Sequence, residues 1–336
     1  MSVLVTGGAG YIGSHTCVEL LERGYDVVVF DNFRSGHVEA LNRVEEITGK
    51  KLRIVEGDIQ DKIAVVRALQ THRCTSVIHF AGLKAVGESV KHPMMFYKNN
   101  VFGTITLLDA MTECDVKSII FSSSATVYGD PQWLPITENH PLSVKTPYGR
   151  TKLMVENILR DLHKADPEWS IGILRYFNPV GAHPSGRIGE DPRREPTNLM
   201  PYIAQVAVGV RPFLRIWGDD YPTLDGTGER DYIHVVDLAR GHIAAMDALT
   251  DPKLFEVNLG TGQSHSVLQM VEGIKSASGR DVPVKKMARR EGDTATCYAN
   301  VDLARTFLGW HAEFSVEDMC RDQWNWRSKN PNGYDS

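Results

Sequence analysis

A tyrosine and a lysine four residues apart are the side chains of this sequence best suited to move a proton. Tyr148 and Lys152 follow Pro147, and the pattern up to about residue 163 is helical, so both side chains fall on one helix face. A tyrosine titrates at about 10, so it is a poor base at neutral pH unless positive charge favours the phenolate. Such pairs are common on helix surfaces. This pair therefore indicates a catalytic role only if a second site in the sequence binds a cofactor next to it.

A row of hydroxyl groups follows the predicted strand 118–121, starting at Ser122. In an open α/β fold this carboxyl end of a strand is where ligands bind. Ser124 in this row could share a proton with Tyr148 while an alcohol becomes a ketone. The alternative is that these serines only cap the following turn.

The second site comes from three glycines near the start of the chain. Gly7, Gly10 and Gly13 follow an apolar strand and precede a predicted helix at 12–22. This arrangement aims backbone N–H groups and the positive end of a helix at a diphosphate. Gly7 permits the tight turn, Gly10 allows the phosphates to approach, and Gly13 allows close packing of helix and strand. A glycine-rich connection without a ligand is the alternative.

An aspartate favours the dinucleotide interpretation. Asp31 ends the second predicted strand, about 20 residues after the glycines, where a carboxylate can hold a ribose diol. The carboxylate would repel a 2′-phosphate, so NAD is expected rather than NADP although Arg34 lies close in sequence. Beside a nicotinamide, Tyr148 and Lys152 become a proton-transfer pair.

Strands alternate with helices through the first half of the chain. Further strands are predicted at 52–56, 76–79 and 170–175, with helices at 61–72 and 93–113, the last interrupted only by Gly103. This alternation predicts βαβ units and a parallel sheet. Asp58 and Ile59 follow one strand and could meet an adenine edge, but an ordinary turn aspartate is equally consistent.

The second half has a different character. Residues 176–196 are too irregular for one regular element, and a long loop inside a compact chain is usually functional. Asn198 opens a predicted helix, and residues 214–217 form a predicted strand. Arg230 and Arg290 lie among turn residues and could clamp phosphates, although arginines are common in surface loops.

Composition narrows the classes of function. The 336 residues carry a net charge of −5, which gives no reason to expect nucleic acid or an anionic membrane as partner. No apolar run approaches the roughly 20 residues of a membrane span, and the first strand leaves no room for a signal peptide, so the cytoplasm is expected. The five scattered cysteines predict free thiols, and no metal site is expected.

Seven stretches together resemble the UDP-glucose/UDP-galactose 4-epimerases of the extended short-chain dehydrogenase/reductase superfamily. They are T-G-G-A-G-Y-I-G, H-F-A-G-L-K-A-V-G-E-S, F-S-S-S-A-T-V-Y-G-D, P-Y-G-R-T-K, R-Y-F-N-P-V-G-A-H-P-S-G, G-E-R-D-Y-I-H-V-V-D and R-R-E-G-D. They span nearly the whole chain. The second and fifth are the most specific to the epimerases.

The resemblance implies an α/β fold with two domains and a homodimer. A seven-stranded, doubly wound parallel Rossmann sheet that binds NAD would occupy residues 1–175, with later segments returning to it. Residues 176–336 would form mainly a smaller C-terminal α/β domain for the UDP-sugar. Helices around 93–113 and 148–163 resemble those that pair in the dimer contact of the family.

The resemblance also implies roles for individual residues. Tyr148 would be the base, Ser124 its hydroxyl partner, and Lys152 the cation that holds the NAD ribose and lowers the tyrosine pKa. The NAD contacts would be Gly7, Gly10, Tyr11, Ile12, Gly13, Asp31, Asn32, Asp58, Ile59, Phe80, Ala81, Gly82, Lys84, Asn99, Tyr148, Lys152 and Phe177. The UDP-sugar contacts would be Lys84, Ser124, Tyr148, Phe177, Asn178, Asn198, Leu199, Trp217, Arg230, Tyr232, Arg290, Asp293 and Cys297.

Two positions bear on specificity. Trp217 stands where the family commonly has phenylalanine or tyrosine near the uracil. Cys297 stands where family members restricted to plain hexoses have tyrosine and those that also accept N-acetylated sugars have a smaller residue. Cys297 therefore predicts turnover of the UDP-N-acetylglucosamine and UDP-N-acetylgalactosamine pair as well. The alternative is an ordinary small buried residue.

Two other functions are compatible with the fold. A nucleotide-sugar 4,6-dehydratase usually has an Asp-Glu pair after the fifth strand, but here the sequence reads Ser124-Ala-Thr. A non-catalytic NAD-sensing protein would tend to lose the tyrosine or the lysine, and both are present. We therefore expect a UDP-hexose 4-epimerase.

Overall fold

The computed structural model describes residues 1–193, 195–290 and 293–335. In chain order the strands of this part are β1 (Ser2–Thr6), β2 (Asp26–Asp31), β3 (Arg53–Glu56), β4 (Ser76–His79), β5 (Ser118–Ser122), β6 (Ser170–Tyr176), β7 (Asn178–Val180), β8 (Leu214–Trp217), β9 (Glu229–Arg230), β10 (Tyr232–His234), β11 (Leu254–Leu259), β12 (His265–Ser266), β13 (Val284–Met287) and β14 (Thr296–Cys297). The α-helices are α1 (Tyr11–Glu22), α2 (Val38–Thr48), α3 (Lys62–Thr71), α4 (Val86–Lys91), α5 (Pro93–Phe96), α6 (Gly103–Glu113), α7 (Pro147–Ala165), α8 (Leu199–Ala207), α9 (Val235–Asp247), α10 (Val267–Ser278), α11 (Asp302–Phe307) and α12 (Val316–Lys329).

A seven-stranded sheet organises the first half of the chain, in the order β11-β6-β5-β4-β1-β2-β3. Every neighbouring pair in this sheet is parallel. The strand order reverses direction between β1 and β4, which is where a doubly wound sheet opens a crevice at its carboxyl edge. The predicted Rossmann fold is confirmed.

Both faces of the sheet are covered because its strands are apolar on both sides. In β1, Val3 and Val5 pack on one face with residues of α1, α2 and α9. Leu4 packs on the other face with α3, α6 and α7. Each fully buried side chain of this kind contributes roughly 1.5–3 kcal/mol relative to exposure. This two-sided core fixes the positions of the loops that follow the strands.

The second half returns to the sheet and also builds its own small sheets. β11 pairs with β6 at the sheet edge, and α9 packs against α1. The remaining strands form the pairs β10-β7 and β13-β8 and the three-stranded sheet β12-β9-β14. Helices α8, α10 and α12 share a separate apolar cluster with β8 and β10.

The helix predicted at 93–113 is not uniform. It consists of α5, a π-helical turn (Tyr97–Phe102) and α6, so Gly103 does not interrupt it. A Cβ atom at Gly103 would lie 2.7 Å from Ile59 Cδ1, so the glycine allows the helix to pack against the strand ends. The π turn carries Asn100, whose side chain accepts from Leu83 N and donates to the Leu83 carbonyl. π turns are frequent at functional sites.

The described part of the chain contains no helix that is long and apolar enough to cross a membrane. It also contains no group of three or more His, Cys, Asp or Glu side chains that could hold a metal ion. All five cysteines are free thiols, as predicted.

Candidate active site

A cleft with a volume of about 320 Å³ opens at the carboxyl edge of the large sheet. Its walls come from the loops after β1, β2, β3 and β4, from α7, and from described residues of the segments 189–193 and 195–197. The predicted residues that line it are Gly7, Gly10, Tyr11, Ile12, Gly13, Asp31, Asn32, Ile59, Phe80, Ala81, Gly82, Lys84, Asn99, Tyr148 and Lys152. The candidate cofactor residues and the candidate proton-transfer pair thus share one cleft.

The glycine turn is shaped by close backbone contacts. Gly7 has φ = +72°, and a Cβ atom there would lie 2.7 Å from Ala81 N. At Gly13 a Cβ atom would lie 2.3 Å from the Gly7 carbonyl oxygen. At Gly10 it would meet only the Gly7 oxygen, at 3.2 Å. Gly7 and Gly13 are therefore required by the fold of the turn, whereas Gly10 has a single tight contact and lines the cleft.

The carboxylate of Asp31 organises the next loop. Its oxygens accept from Ala9 N at 3.0 Å and from Phe33 N at 2.8 Å. Burial raises the pKa of Asp31, and these two hydrogen bonds act in the opposite direction. Each oxygen keeps a further lone pair, so a ribose hydroxyl can still be bound.

Asp58 does not line the cleft. It accepts hydrogen bonds from Asn32 Nδ2 and Gln60 N, both at 2.9 Å. Its contacts are those of a turn aspartate that holds Asn32 and Gln60 in place, one of the two alternatives open from the sequence.

Helix α7 presents the proton-transfer pair to the cleft. Pro147 occupies its first turn, and the Thr146 side chain caps it by accepting from Gly149 N at 3.2 Å. Tyr148 and Lys152 are buried, each about 7% exposed. Lys152 Nζ donates to the Ser122 carbonyl at 2.7 Å and lies 6.0 Å from the centre of the Tyr148 ring.

Ser124 is oriented toward the tyrosine by its neighbour. Its Oγ accepts from Thr126 N at 3.3 Å and from Thr126 Oγ1 at 3.0 Å. Because the Oγ already accepts twice, its own hydrogen is free to be donated. A hydrogen bond from Ser124 acts to lower the pKa of Tyr148.

The protein itself raises the pKa of Tyr148, and the expected lowering by Lys152 together with an oxidised nicotinamide stays a prediction. Burial is the main cause of the raised pKa, and the neighbouring Tyr176 adds to it. Burial also lowers the pKa of Lys152 to about 8.

Sequence reasoning missed Glu190 at the mouth of the cleft. Its carboxylate accepts from Lys84 Nζ and from Asn198 Nδ2, each at 2.7 Å. Lys84 follows β4, and Asn198 is the residue before α8. Glu190 therefore joins predicted residues from the two halves of the chain. Its only sequence signal was an acidic residue within the irregular segment 176–196.

The predicted sugar-nucleotide residues form a second group on short strands. Asn178 is paired with Tyr232, and Cys297 is paired with Arg230. Arg230 Nη1 donates to the carbonyls of Glu229 at 2.7 Å and Ala295 at 3.4 Å. Within the described ranges no carboxylate forms an ion pair with Arg230, so its charge is available to an anion.

A third group lies farther out. Arg290 Nε donates to Asp293 at 2.9 Å, and its guanidinium lies 5.9 Å from the centre of the Trp217 ring. The intervening residues 291 and 292 lie outside the described part of the chain. Leu199 begins α8, next to the Asn198 that bonds to Glu190.

Cys297 packs inside the second group. Its side chain is half-buried against a cluster that contains Val127, Phe177 and Ala299. The cluster also includes Ala125, the residue after Ser124. Burial raises the pKa of Cys297 to about 11, so the thiol is neutral at physiological pH.

Comparison with known proteins identifies the family. A family profile described as GDP-mannose 4,6 dehydratase matches residues 4–323. The UDP-glucose 4-epimerase of Bacillus subtilis is 58% identical over 337 residues, covering 100% of this chain and 99% of that protein. The chain belongs to the UDP-glucose 4-epimerase family. The resemblance recognised from the sequence motifs is confirmed.

Solved UDP-glucose 4-epimerases share the whole fold. The enzyme from Bifidobacterium longum, in complex with NAD+ and UDP, is 52% identical with a TM-score of 0.96, covering 99% of this chain and 100% of that one. The enzyme from Stenotrophomonas maltophila, with NAD and formylated UDP-arabinopyranose, is 48% identical with a TM-score of 0.97, covering 98% and 99%. The predicted cofactor is confirmed at the level of the family.

The dehydratase description of the profile does not extend to the site. After β5 the chain has Ser124, Ala125 and Thr126, and none of these is a carboxylate. The relatives and solved structures compared over the full length are epimerases. The dehydratase alternative is therefore disfavoured by both the residues and the relatives.

Proposed function

We propose that the chain interconverts UDP-galactose and UDP-glucose by inverting C4 of the hexose. The observation that carries this proposal is the convergence of Tyr148, Lys152 and the glycine turn on one cleft. The full-length similarity to UDP-glucose 4-epimerases supports it.

The cleft residues fit NAD. The first turn of α1 has no side-chain cap, so its N–H groups remain available to phosphate. Asp31 would hold the adenosine ribose, and Lys152 would hold the nicotinamide ribose. When bound, NAD supplies a reversible hydride acceptor, so the cycle consumes no net oxidant.

Tyr148 would act as the base for the sugar O4 hydroxyl. The Ser124 hydroxyl would share the proton, and the buried ammonium of Lys152 would add positive charge. Burial raises the pKa of Tyr148 in the protein alone, so the phenolate depends on positive charge gathered in the cleft. The same tyrosine would return the proton when the ketone is reduced, so Tyr148 would end each turnover in its starting protonation state.

The sugar-nucleotide side would hold UDP and leave the hexose free to turn. Arg230 and Arg290 would bind the diphosphate, with Asn178 and Asn198 beside it and Trp217 near the base. A 4-keto sugar tethered through UDP could then present its other face without leaving. Firm UDP binding would also keep the reactive ketone from escaping.

Incubation of the purified protein with UDP-galactose tests the proposal. UDP-glucose should form without added NAD, because cofactor retained from expression is recycled. The nucleotide released on denaturation should be identified by mass spectrometry. No UDP-glucose, even after addition of NAD, would overturn the proposal.

We propose further that the N-acetylated pair is also turned over. A 2-acetamido group must sweep past the position of Cys297 while the ketone rotates, and rejection by a clash is stronger than the gain from one contact. The half-buried thiol beside Phe177 leaves this position small. Cys297→Tyr should lose the acetylated reaction selectively, whereas Cys297→Ser should retain both. No acetylated turnover by the wild type, or equal loss of both reactions in Cys297→Tyr, would reject this.

Two expectations about organisation remain proposals. We propose a division into an NAD-binding domain over residues 1–175, joined by α9 and β11, and a mainly sugar-nucleotide domain over 176–336. We also propose a homodimer through the helical stretch around 93–113 and α7, where Phe102 of the π turn, Ile105 of α6 and Met154 of α7 are exposed. Light scattering should give a mass near twice 37.5 kDa.

A further inference from the structure

Four charged side chains form a closed square behind helix α7. Arg175 donates to Glu156 Oε2 at 2.7 Å and to Glu256 Oε2 at 2.5 Å. Arg160 donates to the same two acids, at 2.8 Å to Glu156 and 2.5 Å to Glu256. Two cations and two anions thus alternate, and the square carries no net charge.

The square contacts several segments of the candidate active site through Glu156 and Arg175. Ser123 Oγ donates to Glu156 Oε1 at 2.6 Å, and Ser123 immediately precedes Ser124. Glu156 lies one helical turn after Lys152 on α7. Arg175, from β6, donates to the Tyr128 hydroxyl at 3.1 Å and to the Glu138 carbonyl at 3.0 Å.

Stability alone does not explain so much buried charge. The Glu156 side chain is fully buried, and Arg175 is 1% exposed. Replacing a buried ion pair by apolar residues of similar volume is often neutral or stabilising. Apolar residues could provide neither the fixed geometry between β5, α7 and β6 nor a negative charge near Lys152.

The electrostatic surroundings of Lys152 give Glu156 a second role. Burial lowers the pKa of Lys152 to about 8, and the charge of Glu156 acts in the opposite direction. The other titratable groups near Lys152 are Tyr148 on α7, Tyr176 at the end of β6, and His79 on β4. Burial raises the pKa of both tyrosines and lowers that of His79 to about 3, so these three groups are neutral at physiological pH.

We propose that Glu156 is a positioning residue for the proton transfer. Through Ser123 it fixes the loop that carries Ser124 against the helix that carries Tyr148 and Lys152, and its charge keeps Lys152 protonated. This inference rests on the proposed function, because the geometry it protects is that of the proposed reaction.

Glu156→Gln and Glu256→Gln provide a matched test. Both remove one carboxylate from the same square, but only Glu156 contacts Ser123 and stands beside Lys152. Glu156→Gln should lower kcat for UDP-galactose about 10- to 100-fold with KM within about threefold, because small displacements of reacting groups are costly. Removing the negative charge lowers the pKa of Lys152 further, so the high-pH limb of kcat should move to lower pH.

The control separates positioning from stability. Glu256→Gln should keep kcat within about threefold and leave the high-pH limb of kcat in place. This should hold even if Glu256→Gln lowers Tm as much as Glu156→Gln does. Retention of kcat within threefold by Glu156→Gln, or equal losses in both variants, would overturn the inference. Wild-type protein that turns over no UDP-galactose would instead overturn the proposed function.

Ser123→Ala keeps the inference testable if Glu156→Gln does not fold. This neutral change removes the hydrogen bond to the carboxylate and leaves the square intact. A bond to a charged group is worth about 1.5 kcal/mol or more, so kcat should fall about 10-fold. The pH limb should stay in place because the Glu156 charge remains. Wild-type kcat in Ser123→Ala would overturn positioning through Ser123.

Discussion

The cofactor side and the sugar-nucleotide side of the site are built in different ways. The cofactor side follows long parallel strands, and its backbone segments approach so closely that a Cβ atom at Gly13 would lie 2.3 Å from another backbone atom. The sugar-nucleotide side rests on two-residue strands such as β9 and β14. Its outer arginine, Arg290, has a side chain 56% exposed.

On the sugar-nucleotide side, buried hydrogen bonds rather than a large sheet hold the loops together. The Asp231 carboxylate accepts from Thr261 N, Thr261 Oγ1, Gly262 N and Ala299 N at 2.7–3.1 Å. Burial raises the pKa of Asp231, and these bonds oppose that shift. One aspartate thus ties together the loops around Arg230 and Cys297. The two sides therefore differ in how they are held in place, by close backbone contacts at the glycine turn and by the hydrogen bonds of one buried aspartate beside Arg230.

The base should show the largest single effect. Tyr148→Phe removes the proposed base, so kcat should fall about 10²- to 10⁴-fold while NAD and UDP binding are kept. Tyr176→Phe is the matched control, because Tyr176 also lines the cleft but bonds to Ser122 rather than Ser124. Steady-state rates and equilibrium binding check both. Activity of Tyr148→Phe within threefold of wild type would exclude Tyr148 as the base.

The packed side of the comparison is tested at Gly13. Gly13→Ala forces a Cβ atom against the Gly7 oxygen and Gly8 Cα, at 2.3 and 2.7 Å. Overpacking of this kind costs about 1–3 kcal/mol or more, and the shifted turn should also release NAD. Urea unfolding and the nucleotide content of the purified protein measure the two effects.

Gly87 in α4 is the control for that change. A Cβ atom there meets nothing within 4 Å, and replacing a helical glycine by alanine is otherwise favourable. Gly87→Ala should therefore match or slightly exceed wild-type stability. Equal stability of Gly13→Ala and Gly87→Ala would contradict the close-packed description of the glycine turn.

The sequence predicted the cofactor side well because its signals are local. Three glycines, a strand-end aspartate and a tyrosine–lysine pair each lie within one short stretch, and strand β4 was predicted at its observed bounds. The π turn at Tyr97–Phe102 was not predicted; its Asn100 bonds to Leu83, which lies 17 residues away in the chain. Helix α4 was also missed, since only six residues carry its pattern.

Contacts between distant segments were beyond sequence reasoning. Glu190 joins Lys84 and Asn198, which are separated by more than a hundred residues in the chain. The raised pKa of Tyr148 results from burial, and the sequence contains no measure of burial at the first turn of a helix. Arg230 and Arg290 were proposed as phosphate-binding residues because they are arginines among turn residues. The neighbours of Arg230 could not be predicted, because they depend on the pairing of the two-residue strands β9 and β14.

Arg230 tests the sugar-nucleotide side of the site, and its replacement should have the smallest effect of these variants. Its guanidinium makes bonds only to backbone carbonyls among the contacts of the described chain, so its charge is expected to serve the diphosphate of UDP. A lost hydrogen bond to a charged group costs about 1.5–3 kcal/mol, so Arg230→Ala should raise KM for UDP-galactose about 10- to 100-fold. Since such binding is shared by ground and transition states, kcat should stay within about threefold.

Two further variants test whether the rise in KM for UDP-galactose is specific to the sugar-nucleotide side of the site. Arg215→Ala removes an exposed arginine from β8 in the same half of the chain and should leave KM unchanged. Asp31→Ala should give the opposite pattern to Arg230→Ala, with NAD retention weakened and KM near normal once NAD is saturating. If Arg230→Ala released NAD, or Asp31→Ala raised KM for UDP-galactose as strongly, the two sides would not be separable. The expected separation follows from the contacts of the two side chains. The Arg230 guanidinium donates to the carbonyls of Glu229 and Ala295, whereas the Asp31 carboxylate accepts from Ala9 N and Phe33 N in the loops after β1 and β2.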